Sequence, residues 1–313
     1  MRVIFMGTPS FALSALNVLV EPPYQVVAVY SAPDRPSGRG LSRTESPVKQ
    51  FALQRGLHVL QPPSLRKSDA LQQFATLAPD VVIVAAYGLL VPPAFLALPP
   101  HGFINIHPSL LPKLRGPSPV VTAILQGLDV TGVTLMLLDQ GLDTGPILAQ
   151  KEASIAPDDT AETLTHRLFD EGASLLLHTL PAWTSRRLKL ALQDPSLATH
   201  TRKIEKEDGD ASWELTAQDL HRRLRAFTPW PGLYTRWQGK ALKILEAQPL
   251  PGESSSSVPG SVVNHPSTGK GLAVVTGKGL LKVTALQIEG KRSASAQDFL
   301  RGYPSILGAR LPS

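Results

Sequence analysis

Two segments of the chain hold side chains whose types and spacing suit chemistry. Asn105 and His107 stand two residues apart in Phe103-Ile-Asn-Ile-His-Pro-Ser-Leu-Leu-Pro112. Asp143 stands between two glycines in Gly132-Val-Thr-Leu-Met-Leu-Leu-Asp-Gln-Gly-Leu-Asp-Thr-Gly-Pro146. Asn, His and Asp together fit acyl transfer to an amine. An amide side chain and an imidazolium both donate hydrogen bonds to a developing oxyanion, and one such donor is worth ~10²–10³ in rate. Histidine also moves protons near neutral pH. An aspartate beside it favours the charged ring and fixes its orientation. No Ser or Cys is paired with a base, so direct transfer is expected rather than a covalent intermediate. Taken singly, each segment has a plainer meaning. Asn-x-His also describes a satisfied core histidine beside a capping asparagine. An aspartate between glycines also describes an Asx-turn.

These side chains need a scaffold. The first 150 residues alternate short apolar runs with helical patterns. Arg2–Gly7, Tyr24–Tyr30, His58–Gln61, Asp80–Tyr87 and Phe103–His107 read as strands, and Phe11–Val20 and Pro117–Leu128 as helices. Thr131–Leu138 and Pro146–Ile155 read as two further strands, and Thr160–Thr184 as a long amphipathic helix. Asp80-Val-Val-Ile-Val-Ala-Ala-Tyr is apolar on both faces, as a central parallel strand covered on both sides must be. The alternation predicts a doubly wound, mostly parallel α/β domain over residues 1–184. Side chains alternate along a strand, so Phe103, Asn105 and His107 share one face and Ile104 and Ile106 the other. Ligands of such sheets sit beyond the carboxyl ends of the strands, where Asn105 and His107 lie.

From Ser185 to Gly209 the pattern dissolves into polar and charged residues, and residues 185–209 are expected to be a linker. Residues 210–313 follow as a second domain. It has one helix, Thr216–Phe227, and short runs at Ser261–Val263, Leu272–Thr276 and Leu280–Leu286, spaced like strands of a small OB-like β-barrel. Gly252-Glu-Ser-Ser-Ser-Ser-Val-Pro-Gly260 reads as a mobile loop. Trp213, Trp230 and Trp237 read as core or domain-packing residues.

Charge is unevenly spread. Residues 211–313 hold 13 Lys and Arg against 6 Asp and Glu, whereas the other 210 residues hold 18 against 19. A basic C-terminal third suits a polyanionic partner. The chain has no cysteine, which excludes disulfides and thiolate metal sites and fits a reducing, cytoplasmic setting. His101 and His107 lack a third ligand at suitable spacing, so no metal is expected. Phosphate-binding and dinucleotide-binding glycine motifs are missing. No apolar run approaches the length of a membrane span.

The motifs also resemble a known family. Phe103–Pro112, Arg115-Gly-Pro-Ser-Pro119 and the Gly132–Pro146 segment resemble the folate-dependent formyltransferases. Gly7-Thr-Pro-Ser-Phe-Ala12, Ala32-Pro-Asp-Arg-Pro-Ser-Gly-Arg-Gly40, Ser46-Pro-Val-Lys49, Ala85-Ala-Tyr-Gly88 and Arg225-Ala-Phe-Thr-Pro-Trp-Pro231 resemble those members that act on methionyl-tRNA. The resemblance implies 10-formyltetrahydrofolate as co-substrate and the α-amino group of methionyl initiator tRNA as acceptor. It implies Asn105, His107 and Asp143 as the catalytic centre. It implies Ser109, Leu110, Leu111 and Pro112 as a folate-binding segment, with Tyr87 and Gly88 as neighbours. It implies that the loop Asp34–Glu45, with Arg35, Arg39 and Arg43, enters the acceptor stem, and that Lys203 and Lys206 meet phosphates. Three positions depart from the family pattern. Leu41 and Ser42 stand where a lysine pair is usual, and Pro108 where a small residue is commoner. A monomer is expected.

Three other functions stay open on these residues. They are formyl transfer to an amino sugar nucleotide, folate-dependent hydrolysis, and RNA binding without catalysis. The arginine-rich loop and the basic C-terminal domain favour tRNA over the sugar. The intact Asn105, His107 and Asp143 argue against a non-catalytic chain.

Overall fold

The structure is a computed structural model. It describes residues 1–313 apart from 38–41, 251, 254 and 265–270, with side chains 35–37 and 42–43 also left out. Contacts divide the described chain into two compact units that interleave along the sequence. The first holds residues 1–119, 129–154 and 164–202, and the second 120–128, 155–163 and 203–313.

Among the described residues nine strands and six α-helices precede residue 185. They are β1 Arg2–Gly7, α1 Leu13–Leu19, β2 Gln25–Tyr30, β3 Arg35–Ser37, β4 Ser42–Thr44, α2 Pro47–Gln54, β5 Val59–Leu60, α3 Ser68–Thr76, β6 Val81–Ala85, α4 Pro93–Leu96, β7 Phe103–His107, α5 Pro119–Leu125, β8 Val130–Leu137, β9 Ile147–Ser154 and α6 Ala161–Thr184. Seven strands form one sheet in the order β5-β2-β1-β6-β7-β8-β9. Pairing is parallel from β5 to β7 and antiparallel from β7 to β9. This is the mostly parallel α/β sheet expected, with an antiparallel edge. The edge arises because a loop alone joins β8 to β9, and a parallel return would need a crossover.

The central strands are buried on both faces, so alternate residues serve two cores. Val3, Phe5, Ile104 and Ile106 pack with Leu16, Val48, Leu176 and Leu180 of α1, α2 and α6. Ile4, Met6 and Phe103 pack with Phe74 and Phe95 of α3 and α4. Each such side chain, fully buried, contributes roughly 1.5–3 kcal/mol of transfer free energy. Gly172 lets α6 lie close to the sheet, because a Cβ there would stand 2.6 Å from a methyl of Ile106.

Within the segment Asp34–Glu45, β3 and β4 pair antiparallel, Arg35 with Thr44 and Ser37 with Ser42. The base of the segment is tied by charge. Lys49 Nζ lies 2.6 Å from Asp34 and 3.0 Å from Glu45, and Gln61 donates to Asp34 at 2.8 Å. The acidic hydrogen-bond partners push the Lys49 pKa upward. Ser46 caps α2 by accepting from Lys49 N, with Pro47 at the first turn, as the Ser-Pro-Val-Lys sequence favours.

The second unit holds α7 Ala217–Ala226, β10 Leu233–Trp237, β11 Lys240–Leu250, β12 Val262–Val263, β13 Leu272–Val275, β14 Leu280–Ile288, β15 Ala294–Ser295 and α8 Ala296–Gly302. The strands form an antiparallel sheet in the order β10-β11-β14-β13-β12, with β15 also on β14. Register shifts near Glu246 bend β11, which curls the sheet as bulges do. Such a sheet fits the small OB-like domain expected. Trp213 and Trp237 are buried in its core. Trp230 departs from the expectation, since it is 57 % exposed. Gly252–Gly260 carries no strand or helix among its described residues.

Candidate active site

β7 places Asn105 and His107 at its carboxyl end, in the middle of the large sheet. Asn105 pairs in register with Val84 of β6 and Met136 of β8, and His107 with Thr134. Asp143 arrives on the loop between β8 and β9. Its Oδ2 stands 3.7 Å from His107 Nδ1 and accepts from Gly116 N at 2.8 Å. His107 Nε2 lies 3.2 Å from the Leu114 carbonyl. A carbonyl only accepts, so that nitrogen carries the ring proton. In the neutral ring Nδ1 is then a bare lone pair directed at the carboxylate.

The loop's turn chemistry falls on Asp139, not Asp143. Asp139 Oδ1 accepts from Gly141 N at 3.0 Å and from the Thr144 hydroxyl at 2.7 Å. That is the Asx-turn, and it leaves the Asp143 carboxylate for other partners. Asp143 itself takes the left-handed region, at φ 55°. Gly145 is needed for close approach, since a Cβ there would overlap the Leu137 carbonyl. Ala86 and Leu114, at φ 51° and 60°, share this backbone strain near the site. Each such residue costs of order 1–3 kcal/mol.

A cavity of about 410 Å³ opens beside these groups. Its lining includes Val84, Leu89, Val91 and Leu138 together with the polar residues Asn105, Gln140 and Asp143. An apolar slot with a few convergent polar groups suits a flat heterocycle with a hydrogen-bonding edge. Tyr87 and Gly88 line it. Burial pushes the Tyr87 phenol pKa far upward. The Thr8 hydroxyl donates to the Tyr87 carbonyl at 2.9 Å and accepts from Ala32 N at 3.1 Å, so the loop after β1 braces this wall.

Ser109, Leu110, Leu111 and Pro112 are not among the residues lining that cavity. They form the turn behind β7. Ser109 is fully buried and donates to the Lys113 carbonyl at 2.8 Å. Thr134 donates to the Ser109 carbonyl at 2.6 Å and accepts from Leu111 N at 3.1 Å. Leu111 packs on Met136 and Ile147. The cavity wall comes from residues 86–93 and 138–143, within and next to the strand end Val84–Leu90 and the loop around Asp139–Thr144 that the sequence suggests.

Arg39 lies outside the described residues, and Arg35 and Arg43 are described by backbone alone, in β3 and β4. Lys203 and Lys206 belong to the second unit, and Lys206 opens a short 3₁₀ turn there. Among the described residues no group of three His, Cys, Asp or Glu side chains could hold a metal. The sequence reading missed Leu114, Gly116 and Arg66, which lines the cavity mouth. Leu114 and Gly116 act through backbone atoms, which side-chain chemistry does not reveal.

Burial shapes the electrostatics. His107 is 5 % exposed. Desolvation lowers its pKa below the ordinary 6.5, outweighing the upward pulls of Asp143 and the Leu114 carbonyl. Asp143 pulls toward the charged ring, as expected, but burial outweighs it, and the ring is neutral at pH 7. The unfolded chain binds the extra proton first, so this group's stability is present above pH 6.5 and declines as pH falls below it, at most ~1.4 kcal/mol per pH unit. His107→Gln is expected to lose less stability than wild type between neutral pH and mild acid. Parallel denaturant titrations check it, and coincident pH profiles would count against a neutral buried ring.

Comparison with known proteins points one way. The family model described as "Formyl transferase" matches residues 1–180, and "Formyl transferase, C-terminal domain" matches 203–304. A methionyl-tRNA formyltransferase of Roseiflexus castenholzii is 45% identical over 312 residues, covering 99% of each chain. One of Marinobacter nauticus is 41% identical, covering 98% of each. Among solved structures, an N-formyltransferase of Helicobacter canadensis, in complex with folinic acid and dTDP-3-aminofucose, superposes with TM-score 0.67 at 18% identity, covering 90% of this chain and 98% of that one. At that identity the likeness concerns the fold.

Proposed function

The chain belongs to the formyl transferase family, and from that premise we propose that it carries the formyl group of 10-formyltetrahydrofolate to the α-amino group of methionyl initiator tRNA. The observation that carries the reading is full-length identity of 41–45% to methionyl-tRNA formyltransferases, together with Asn105 and Asp143 at one cavity.

The reaction makes one C–N bond and breaks another, and the side chains divide the work. Asn105 donates to the oxygen of the formyl group as the amine attacks, which stabilises the oxyanion. Asp143, at the cavity wall, accepts the proton released by the amine. His107 Nδ1, 3.7 Å from Asp143 Oδ2, shares that proton with the carboxylate, and Asp143, which lines the cavity, returns it to the departing folate nitrogen. Burial keeps the ring neutral and thus ready to accept. The folate is held by Tyr87 and Gly88 at the cavity and by Ser109, Leu110, Leu111 and Pro112, the segment that follows β7.

For the tRNA, Arg35, Arg39 and Arg43 of the segment Asp34–Glu45 meet the acceptor stem. Arginine suits phosphates and base edges through its planar fork. Residues 1–184 supply catalysis, 185–209 connect them to the C-terminal region, their first part (185–202) lying within the first unit, and the basic 210–313 region with Lys203 and Lys206 supports the RNA backbone. No helix among the described residues is long and apolar enough to cross a membrane. We place the protein in the cytoplasm as a monomer that binds no metal.

Purified protein mixed with 10-formyltetrahydrofolate and methionyl initiator tRNA is expected to yield N-formylmethionyl-tRNA. A parallel reaction offers an amino sugar nucleotide. Turnover of the sugar without formylmethionine would overturn the assignment. Affinity for tRNA is expected to fall steeply with salt, as counterion release requires.

A further inference from the structure

The segment after α6 carries a polar clamp that reaches the catalytic loop. Residues 185–202 run within the first unit and are sewn to it by backbone. Ala191 and Ile147 exchange hydrogen bonds at 2.8 and 2.9 Å, Arg115 N donates to Thr199 O at 2.9 Å, and Thr201 N donates to Arg115 O at 2.7 Å. Gln193 sits between those two attachments.

Its amide is fully used. Gln193 Nε2 donates to the backbone carbonyls of Asp143 at 2.9 Å and Gly145 at 2.7 Å. Its Oε1 accepts from Arg115 Nε at 3.0 Å and Nη2 at 2.7 Å. Both donors and both acceptor sites of a primary amide are thereby taken. Arg115 is 5 % exposed, so its fork is held in a desolvated place where hydrogen bonds to a charged donor are strong.

The two ends of this clamp belong to the two segments that hold His107 and Asp143. Arg115 lies between Leu114, whose carbonyl meets His107 Nε2, and Gly116, whose N–H meets Asp143 Oδ2. Asp143, at φ 55°, occupies a backbone region that a non-glycine residue keeps only when its surroundings hold it there. Gln193 grips that residue's own carbonyl. Gly116 is itself fitted against the same strap, since a Cβ there would stand 2.8 Å from the Thr201 carbonyl.

The geometry points to Gln193 as a positioning residue that, through Arg115 and the carbonyls of Asp143 and Gly145, sets the distance between the Asp143 carboxylate and the His107 ring. Gln193 acts through Asp143 and touches no reacting atom in this scheme. The inference deepens the formyl-transfer reading and rests on it for its kinetic part. A misplacement of about 1 Å costs up to ~10² in rate, and that is the scale expected when the clamp is cut.

Two substitutions separate its halves. Gln193→Met keeps the volume and removes both halves. Gln193→Glu keeps the acceptor for Arg115, now as a carboxylate, and removes the donation to Asp143 and Gly145. It is also the variant that retains a partner for the buried Arg115 fork and so preserves the fold. Both are expected to lower kcat by ~10²-fold while KM for 10-formyltetrahydrofolate stays near wild type. A purely structural glutamine would instead show Gln193→Glu at wild-type kcat once folded protein is counted.

A second readout needs no acceptor. The groups facing the His107 ring are the Asp143 carboxylate and the Leu114 carbonyl. A carboxylate that moves away lifts the ring's pKa less, so the His107 titration followed by NMR shifts to lower pH in Gln193→Met, which adds no charge of its own. Assignment comes from the signal lost in His107→Gln. An unchanged titration midpoint together with unchanged kcat overturns the clamp. Wild-type protein that makes no formylmethionine overturns the formyl-transfer reading instead, while the titration still decides the clamp.

Discussion

Alanine at Asn105, His107 or Asp143 is expected to lower the single-turnover rate of formyl transfer by ~10²–10³ at each position, with the fold intact. The figure is that of one lost oxyanion donor or one lost proton-transfer group. The pattern of the losses is more telling than their size. Asn105 lines the cavity while His107 stands behind Asp143, its Nδ1 3.7 Å from Oδ2. In this scheme His107 and Asp143 handle one proton as a unit. Groups that act as a unit are strongly non-additive, so His107→Ala combined with Asp143→Ala should cost little more than either alone. Asn105→Ala combined with Asp143→Ala should cost close to the product. Rates measured at saturating folate and methionyl-tRNA decide it. Near-wild-type turnover in all three single variants would remove the site. A multiplicative His107/Asp143 double variant would remove the shared proton.

Phe74→Ala is expected to destabilise the protein by about 3–5 kcal/mol, the range for deleting a buried aromatic side chain. Phe74 of α3 is fully buried. Its ring stacks on Phe103 at 5.8 Å, meets Phe95 edge-on at 5.0 Å and lies 6.1 Å from Tyr30. Such aromatic pairs contribute beyond their buried area, and the cavity left would be lined from several elements at once. Phe103 begins the strand that carries Asn105 and His107, so the same cavity sits two residues below the catalytic amide. Denaturant unfolding of the variant measures the loss. A change under about 1 kcal/mol would show that the core refills the space by collapse, which the spread of such substitutions allows only at yielding sites. At temperatures where the variant remains folded, its turnover per folded molecule should approach wild type, because no polar atom of the site has been removed.

Much of the scaffold was legible because burial on two faces leaves a plain mark in sequence. Val81–Ala85 is an uninterrupted apolar run, and a central parallel strand requires one. The alternation in Phe103–His107 placed Ile104 and Ile106 in one core and Phe103 in the other, as found. The ribbon β3–β4 was less legible. Its residues read as a polar loop, since a short ribbon outside the core carries no apolar alternation to announce it. Trp230 was misread because an aromatic ring near others suggests packing, whereas exposure depends on which way the chain turns.

The amino-acid sequence by itself determined which functional groups are present and which strand ends they occupy, because residue type and the two-residue period of a strand are local properties. It also determined the family, through motifs spread over the whole length. The tertiary structure alone decided how those groups address one another. It moved the Asx-turn to Asp139 and freed Asp143. It buried His107 so that desolvation outweighs its carboxylate partner. It tied Ser109 to Lys113 and Thr134 in a hydrogen-bonded turn after β7. It brought Gln193, read as linker, onto the catalytic loop across 50 residues of chain. The reason is common to all four. Hydrogen-bond partners and loss of water are set by what lies within a few ångströms in space, and loops joining distant segments settle that after the strands have already taken their places.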